Sequence, residues 1–118
     1  MPRETNDEPE VVDFNFEQVL AAVADPIRLS IIAQLAAAEQ DLSCGAIELP
    51  IKTSTATHHF TALRRAGVLH QYYAGTSRMN VLRRQDMERA FPGFLTSVIA
   101  AIMCEGHYSP TQGTSAPI

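Results

Sequence analysis

The stretch that decides the fold is KTSTATHHFTALRRAG, residues 52–67. Ala56, Phe60 and Leu63 recur at three- and four-residue spacing, so the stretch predicts an α-helix with one apolar face. Gly67 follows the last periodic residue, where a glycine commonly ends a helix. The sequence therefore predicts a helix that ends at about residue 66 and buries one face against a core.

Polar residues cover the other side of this helix, and Ser54 or Thr53 is predicted to cap its N-terminus. The face opposite the apolar stripe carries Ser54, Thr55, His58, Thr61, Ala62 and Arg65. His58 points outward on this face, whereas His59 falls at the flank of the apolar stripe. The two histidines therefore point in different directions and cannot both bind one outward-facing metal ion. We predict that His58 is available for an external contact and that His59 has a hydrogen-bonded structural role.

Three helical segments precede this stretch. The first helical pattern begins at Phe14 or Asn15 and is predicted to end at Asp25 and Pro26. The same two residues are predicted to start a second helix, with Asp25 as its N-cap and Pro26 at its first helical position. The second helix is predicted to run to about Glu39. Residues 39–43 read as a connection, and residues 44–49 as a short helix.

Two strands and a further helical segment follow. Residues 68–73 and 78–82 are predicted strands joined by the short loop AGTS, which contains Gly75. Residues 84–104 are predicted to be helical, with an irregularity or a restart near Pro92.

The charges of the chain are segregated. The 118 residues carry a net charge of −4, yet residues 52–84 contain six lysine and arginine residues and no carboxylate. Such an acid-free basic stretch is the footprint expected where a polyanion binds. Residues 1–48 carry ten of the thirteen carboxylates.

The domain prediction follows from composition. Residues 1–13 are predicted to form a flexible or loosely docked acidic tail, residues 14–104 a single domain, and residues 105–118 a flexible C-terminal tail. No apolar run has the length of a membrane span, and the polar N-terminus is not a secretory signal. We therefore expect a cytoplasmic protein without a membrane partner. No phosphate loop and no catalytic motif of the common enzyme families occurs, so we expect neither an enzyme nor a bound cofactor.

The order of elements (three helical segments, the helix of residues 52–67, a hairpin and a last helix) predicts a mainly α fold with a β-hairpin wing, the winged helix-turn-helix. An exposed helix of this kind fits the major groove of double-stranded DNA. The candidate phosphate contacts are Lys52, Arg64, Arg65, Arg78, Arg83 and Arg84. The candidates for the groove and the adjacent backbone are Thr53, Ser54, Thr55, Thr57 and His58. A winged helix used as a protein-interaction module is the alternative.

Two stretches resemble a known family. LAAVADPIRLSIIAQL (residues 20–35) and STATHHFTALRRAGVL (residues 54–69) are similar to the second helix and the recognition helix of ArsR/SmtB-type repressors. The resemblance covers about residues 15–104. It implies a homodimer whose first and last helices pair, which binds an inverted-repeat operator and is released by an inducer. It also implies that Thr57 and His58 face DNA, and it places a histidine common in the family at His59.

The resemblance does not extend to the metal sites of that family. Metal-sensing members carry Cys-x-Cys where this chain has DLSCGAI (residues 41–47), so that Ser43 and Gly45 replace the two thiolates. The last helix also lacks the His/Asp set of other members, and His107 stands alone. Because a soft-metal site needs two or three converging thiolates, we predict no metal site.

Cys44 and Cys104 are the two cysteines of the chain. Some relatives in the resembling family sense persulfide or oxidants through two similarly placed thiols, so both are candidate redox-sensing residues. A cysteine in the first turn of a helix gains thiolate character, whereas many free cysteines are simply buried core residues. Thiol sensing, another small-molecule inducer and a structural role all remain open.

Overall fold

The computed structural model describes residues 7–105. Its α-helices are α1 (Phe16–Val23), α2 (Pro26–Ala38), α3 (Thr53–Ala66), α4 (Arg84–Ala90) and α5 (Phe94–Glu105). Its strands are β1 (Leu42–Ser43), β2 (Leu69–Ala74) and β3 (Ser77–Leu82). Two short 3-10 turns, Val11–Asp13 and Cys44–Ala46, complete the described elements.

The first two helices begin where their capping residues predict. The side chain of Asn15 accepts a hydrogen bond from the backbone N–H of Gln18 at 2.8 Å. The Asp25 carboxylate accepts the N–H groups of Ile27 and Arg28 at 2.8 and 3.1 Å, and Pro26 opens α2. These bonds satisfy backbone donors that have no partner within the helix.

Helix α3 buries the predicted face. Ala56, Phe60 and Leu63 are all buried. Gly67 ends the helix with a φ of 94°, a left-handed conformation that favours glycine. A Cβ at Gly67 would lie 2.5 Å from a ring carbon of Phe14, so the close approach of the N-terminal segment also requires glycine there.

The N-terminus of α3 differs from the prediction. Lys52 occupies the N-cap position and makes no side-chain capping bond. The helix begins at Thr53, so the prediction that Ser54 or Thr53 caps it was wrong. The hydroxyl of Thr57 instead donates to the carbonyl of Thr53 at 3.2 Å, as is common for threonine inside a helix.

The sheet has the strand order β1–β3–β2 and is antiparallel throughout. The hairpin is tighter than predicted, because Ala74 pairs with Ser77 and leaves a two-residue turn. Gly75 in that turn has a φ of 65°. The prediction that residues 39–43 are only a connection was also wrong, since Leu42 pairs with Asn80 at the opposite edge of β3.

Two helical predictions change in length. The short helix predicted over residues 44–49 is a single 3-10 turn, Cys44–Ala46, capped as expected by the Ser43 hydroxyl at 3.1 Å. The last helical segment is broken as Pro92 predicts, and α4 meets α5 at a bend of 120°. Residue 105 belongs to α5, and the rest of the predicted C-terminal tail lies outside the described residues.

The core is one cluster that joins the helices to the hairpin. Its fully buried apolar side chains are Val19, Ile31, Ile32, Leu63, Val68, Leu69 and Met87. Burial of each such side chain stabilises the fold by roughly 1.5–3 kcal/mol before the entropy cost. This core fixes α3 against the hairpin and leaves the opposite face of α3 exposed. Within residues 7–105, no single helix has the length and apolarity needed to span a membrane, although the bent pairs α1–α2 and α4–α5 pass that test by length and composition.

Candidate nucleic-acid interface

The exposed face of α3 is the centre of the candidate interface. The exposed predicted residues at and after its N-terminus are Lys52, Thr53, Ser54, Thr55, Thr57 and His58. Because no side chain caps the helix, the N–H groups of its first turn are open to an external acceptor such as phosphate. Hydroxyls, an imidazole and the N-terminal end of the helix dipole therefore share one surface.

Arg64 does not lie on this surface. Its side chain is buried, because it faces the hairpin and not the solvent. Its Nε and Nη2 donate to the two carboxylate oxygens of Asp7, both at 2.8 Å, and its Nη1 donates to Gln71 at 2.7 Å. Arg64 was predicted as a phosphate contact, but its donors already serve these internal acceptors. The sequence-based assignment of Arg64 is therefore corrected to a structural one.

Arg65, the next residue, remains on the surface, with 62% of its side chain exposed. Its Nε donates to Asp7 at 2.9 Å. Its backbone carbonyl accepts a bond from Gln18 at 3.2 Å, which ties the end of α3 to α1. Arg65 thus keeps free surface, although part of its charge is neutralised by Asp7.

Arg78 lies in the hairpin strand β3 and not at the tip of the wing. It stands opposite Tyr73, donates from Nη1 to the Tyr73 hydroxyl at 3.0 Å and has its guanidinium carbon 5.0 Å from the ring centroid. Its Nε is buried and has no hydrogen-bond partner among residues 7–105. The tip itself consists of Gly75 and Thr76. Arg78 therefore lies in the strand where the sequence predicts it, one residue pair from the turn.

The N-terminal acidic segment covers part of the basic stretch. Asp7 bonds the two arginines at the end of α3, and Glu8 bonds His70 at 2.8 Å and the backbone N–H of Gln71 at 3.0 Å. The carbonyl of Pro9 accepts from Arg83 at 2.9 Å. The sequence predicts a flexible or loosely docked tail over residues 1–13, and the described part of it, residues 7–13, lies on the domain. Two of its carboxylates, those of Asp7 and Glu8, bond groups of the basic stretch.

The electrostatics of this contact are strong. The paired guanidinium of Arg64 and, less strongly, that of Arg65 hold the pKa of Asp7 well below its usual range, against the opposing effect of burial. The same hydrogen bond from Arg64 to Asp7 raises the pKa of Arg64. The acidic segment was not predicted as part of the site, since some 57 residues separate the partners in sequence.

His59 has the predicted structural role. Its Nδ1 accepts a hydrogen bond from Nε of Arg28 at 3.1 Å and lies 3.7 Å from a carboxylate oxygen of Asp25. Burial lowers the pKa of His59 despite the nearby Asp25 carboxylate. A neutral imidazole that accepts from an arginine links α3 to the start of α2. His58 lies on the exposed side, with the two rings 5.3 Å apart and at a steep angle.

Cys44 is a half-buried free thiol at the end of a buried polar chain. Its Sγ lies 3.3 Å from the amide nitrogen of Asn80 and 3.8 Å from that of Gln71. Gln71 also donates to Asn80 at 2.7 Å and accepts from Arg64, so the chain continues to Asp7. The sequence contained no signal for this chain, because alternation alone does not distinguish a buried polar residue of a strand from an exposed one.

Cys104 is an exposed free thiol near the end of α5. Helix α5 packs on α2 and α4, whereas the 3-10 turn of Cys44 packs on β1 and β3. Among residues 7–105 no cluster of three or more His, Cys, Asp or Glu side chains has the arrangement of a metal site. His107, which was assigned no role, lies outside the described residues.

Four packed helices (α1, α2, α4 and α5), a further helix with an exposed polar face (α3) and a three-stranded antiparallel sheet that ends in a hairpin define a winged helix-turn-helix protein. The chain is 32% identical over 83 residues to the uncharacterized HTH-type transcriptional regulator YceK of Bacillus subtilis (strain 168). The match covers 69% of this chain and 83% of that protein. No protein-family model matches the chain. The chain belongs to the HTH-type transcriptional regulators.

Proposed function

We propose that the protein binds double-stranded DNA through α3 and the hairpin and represses transcription as a homodimer of the ArsR/SmtB type. The observation that carries the proposal is the uncapped N-terminus of α3, which opens onto a continuous surface of hydroxyls and His58. Such a surface places N–H groups and Lys52 against phosphate and small polar side chains against base edges. The proposed role is binding and not catalysis.

The proposed contacts divide into two kinds. Lys52 and Arg65 would neutralise phosphates, and Ser54, Thr55 and His58 would reach the groove. Thr53 and Thr57 line a cavity that Gln71 and Arg78 of the hairpin also line, and they would contact the adjacent DNA backbone. Arg64 leaves the set because its guanidinium is buried against Asp7.

Exposed apolar side chains support the homodimer. Phe16 and Leu20 of α1 are 43% and 41% exposed, and Met103 of α5 is 44% exposed. Of the twelve residues of α5, Leu95 and Ile102 are buried, although the helix is strongly apolar. Apolar surface of this kind on the first and last helices favours a partner, and a second copy would place two α3 helices about one turn of DNA (~34 Å) apart.

We further propose that an inducer releases the repressor from an inverted-repeat operator. Thiol modification is one candidate chemistry, and Cys44 is the better placed thiol. The amide groups of Asn80 and Gln71 lie against its sulfur, where they would donate hydrogen bonds to an oxygen added on oxidation to a sulfenic acid. A modified Cys44 would also disturb the chain that leads through Gln71 to Arg64 on α3.

The first test is fluorescence anisotropy with DNA from the promoter of the gene itself, measured over a range of salt concentrations. We expect tight binding whose affinity falls steeply as salt increases. Two results together would support the thiol switch. The wild-type protein would lose DNA binding on mild oxidation and regain it with reductant, and the Cys44→Ser protein would bind DNA equally well with and without oxidation. Binding that is indifferent to oxidation would keep the repressor and remove the switch. Absence of binding to any tested genomic fragment would contradict the DNA-binding proposal and favour a protein-interaction module.

A further inference from the structure

A cavity of about 780 Å³ lies between the 3-10 turn of Cys44, helix α3 and the hairpin. Its volume falls within the range of pockets that hold small organic ligands, roughly 300–1,000 Å³. One part of its wall is apolar and is formed by Ile47, Ile51 and Phe60, of which Ile47 and Phe60 are each 5% exposed. Another part is cationic and contains Arg64 and Arg78.

The two arginines of the cavity differ in what they can still bind. Three nitrogens of Arg64 already donate to Asp7 and Gln71 at 2.7–2.8 Å. Arg78 donates to Tyr73, but its buried Nε has no acceptor among the described residues. A buried donor left without an acceptor costs about 1–3 kcal/mol, so an acceptor brought by a ligand would be favoured there. A carboxylate fits the edge of a guanidinium, because its two oxygens match two parallel N–H groups.

We propose that this cavity binds a small monocarboxylate with an apolar tail. Its carboxylate would pair with the guanidinium of Arg78, whose side chain would turn Nε toward the ligand, and its tail would pack against Ile47, Ile51 and Phe60. The carboxylate of Glu48 lies at the rim of the cavity and would repel a ligand that carries a second negative charge, so a monocarboxylate is favoured over a dicarboxylate. The rim is held in place by Gln34, whose side-chain amide bonds both the N–H and the carbonyl of Glu48 at 3.0 and 2.8 Å.

The site would also act on the proposed DNA interface. Thr53, Thr57 and Thr61 of α3 line the same cavity. A bound carboxylate would therefore add negative charge beside the N-terminus of α3, where a phosphate is proposed to bind, and would occupy Arg78. This consequence rests on the proposed function, whereas binding of the carboxylate does not.

To test the site, the full chain is titrated with octanoate, and binding is measured by calorimetry and by changes in amide NMR shifts. Octanol tests the contribution of the charge, and acetate tests that of the tail. We expect octanoate to bind, octanol and acetate to bind at least about tenfold more weakly, and the shifts to concentrate at Ile47, Thr57 and Thr61. Equal affinity for octanoate and octanol, or no octanoate binding up to about 10 mM, would overturn the site.

Arg78→Gln is the decisive variant, and Arg65→Gln is its matched control outside the cavity. We expect Arg78→Gln to weaken octanoate binding about tenfold and to leave octanol binding unchanged, while Arg65→Gln changes neither. Unchanged octanoate affinity in a folded Arg78→Gln protein would refute the role of Arg78. If circular dichroism shows that this variant does not fold, Arg78→Lys keeps the charge without the edge of the guanidinium and must still lose affinity.

The effector role is tested separately by anisotropy on DNA with and without octanoate. Weaker DNA binding in octanoate, absent in Arg78→Gln, would support it. Unchanged DNA binding at saturating octanoate would refute the effector role. Failure of DNA binding itself would leave the calorimetric result on the free protein intact, so the two proposals can fail independently.

Discussion

Replacement of Asp7 by asparagine tests whether the acidic segment stabilises the domain. Asp7 accepts three charge-assisted hydrogen bonds, two from Arg64 and one from Arg65, at 2.8–2.9 Å. Asp7→Asn removes the carboxylate and leaves the Arg64 guanidinium buried, with Gln71 as its neutral partner. The substitution keeps the size of the side chain, so that the change in free energy of unfolding reports mainly on charge.

The magnitude follows from the exposure of the three partners. Removing one member of a buried ion pair costs about 3–5 kcal/mol, while an exposed pair contributes about 0–1 kcal/mol. The Arg64 side chain is 10% exposed, but that of Asp7 is 33% exposed and that of Arg65 is 62% exposed. The estimate must therefore lie below that for a fully buried pair. We expect Asp7→Asn to lower the free energy of unfolding by about 2 kcal/mol at neutral pH.

The pH dependence gives a second and independent signature. Because the folded-state pKa of Asp7 is depressed, its contribution is fully present above the pKa of the unfolded chain and is lost as pH falls toward the folded-state pKa. The difference between wild type and Asp7→Asn should therefore be constant above about pH 5 and should shrink below about pH 4.

The assay is urea unfolding followed by circular dichroism at several pH values and at one fixed protein concentration, since any dimer makes stability depend on concentration. Glu10→Gln is the matched control, because Glu10 is an exposed acid of the same segment. An Asp7→Asn protein as stable as Glu10→Gln at pH 7 would refute the reasoning. A stability difference that persists undiminished at pH 3 would show that it does not come from the ionised carboxylate.

Three further outcomes are expected. Gly67→Ala should destabilise the protein by about 2–4 kcal/mol, because the position is left-handed and a Cβ would meet Phe14 at 2.5 Å. A thermal midpoint lowered by less than about 2 °C would contradict both the backbone strain and the clash. Leu20→Glu should convert the proposed dimer into a monomer in light scattering, while Thr76→Glu at the hairpin tip should not; a monomeric wild type would contradict the dimer. His58→Ala should change the relative affinity for operator variants and leave the salt dependence nearly unchanged; a uniform loss across all sequences would assign His58 to the phosphate backbone instead.

The sequence by itself determined the order and type of most elements. Asp25 and Pro26 begin α2, and Gly67 ends α3, because caps and stops act on the backbone within a few residues. The inward face of α3 also followed from the spacing of its apolar residues. Pro92 predicted the break between α4 and α5, because a proline disrupts the helical hydrogen bonds next to it.

The shorter elements could not be predicted from the sequence, because the residues that stabilise them are distant along the chain. Leu42–Ser43 becomes a strand when it meets β3, nearly forty residues further on, and carries no periodicity of its own. The cap of α3 was misassigned because several hydroxyl residues adjoin its start, and tertiary packing selected the first helical residue.

The sequence predicted which side chains of the candidate interface face outward on α3. It did not predict which of them form ion pairs with distant residues. The outward positions of His58 and Arg65 follow from helical geometry alone. The burial of Arg64 could not be predicted in this way. Residues 52–84 are basic and contain no acid, so the sequence does not indicate that Asp7 neutralises this arginine. Tertiary structure decided which cations are buried and which remain at the surface, since Coulomb attraction depends on distance in space and not on separation along the chain.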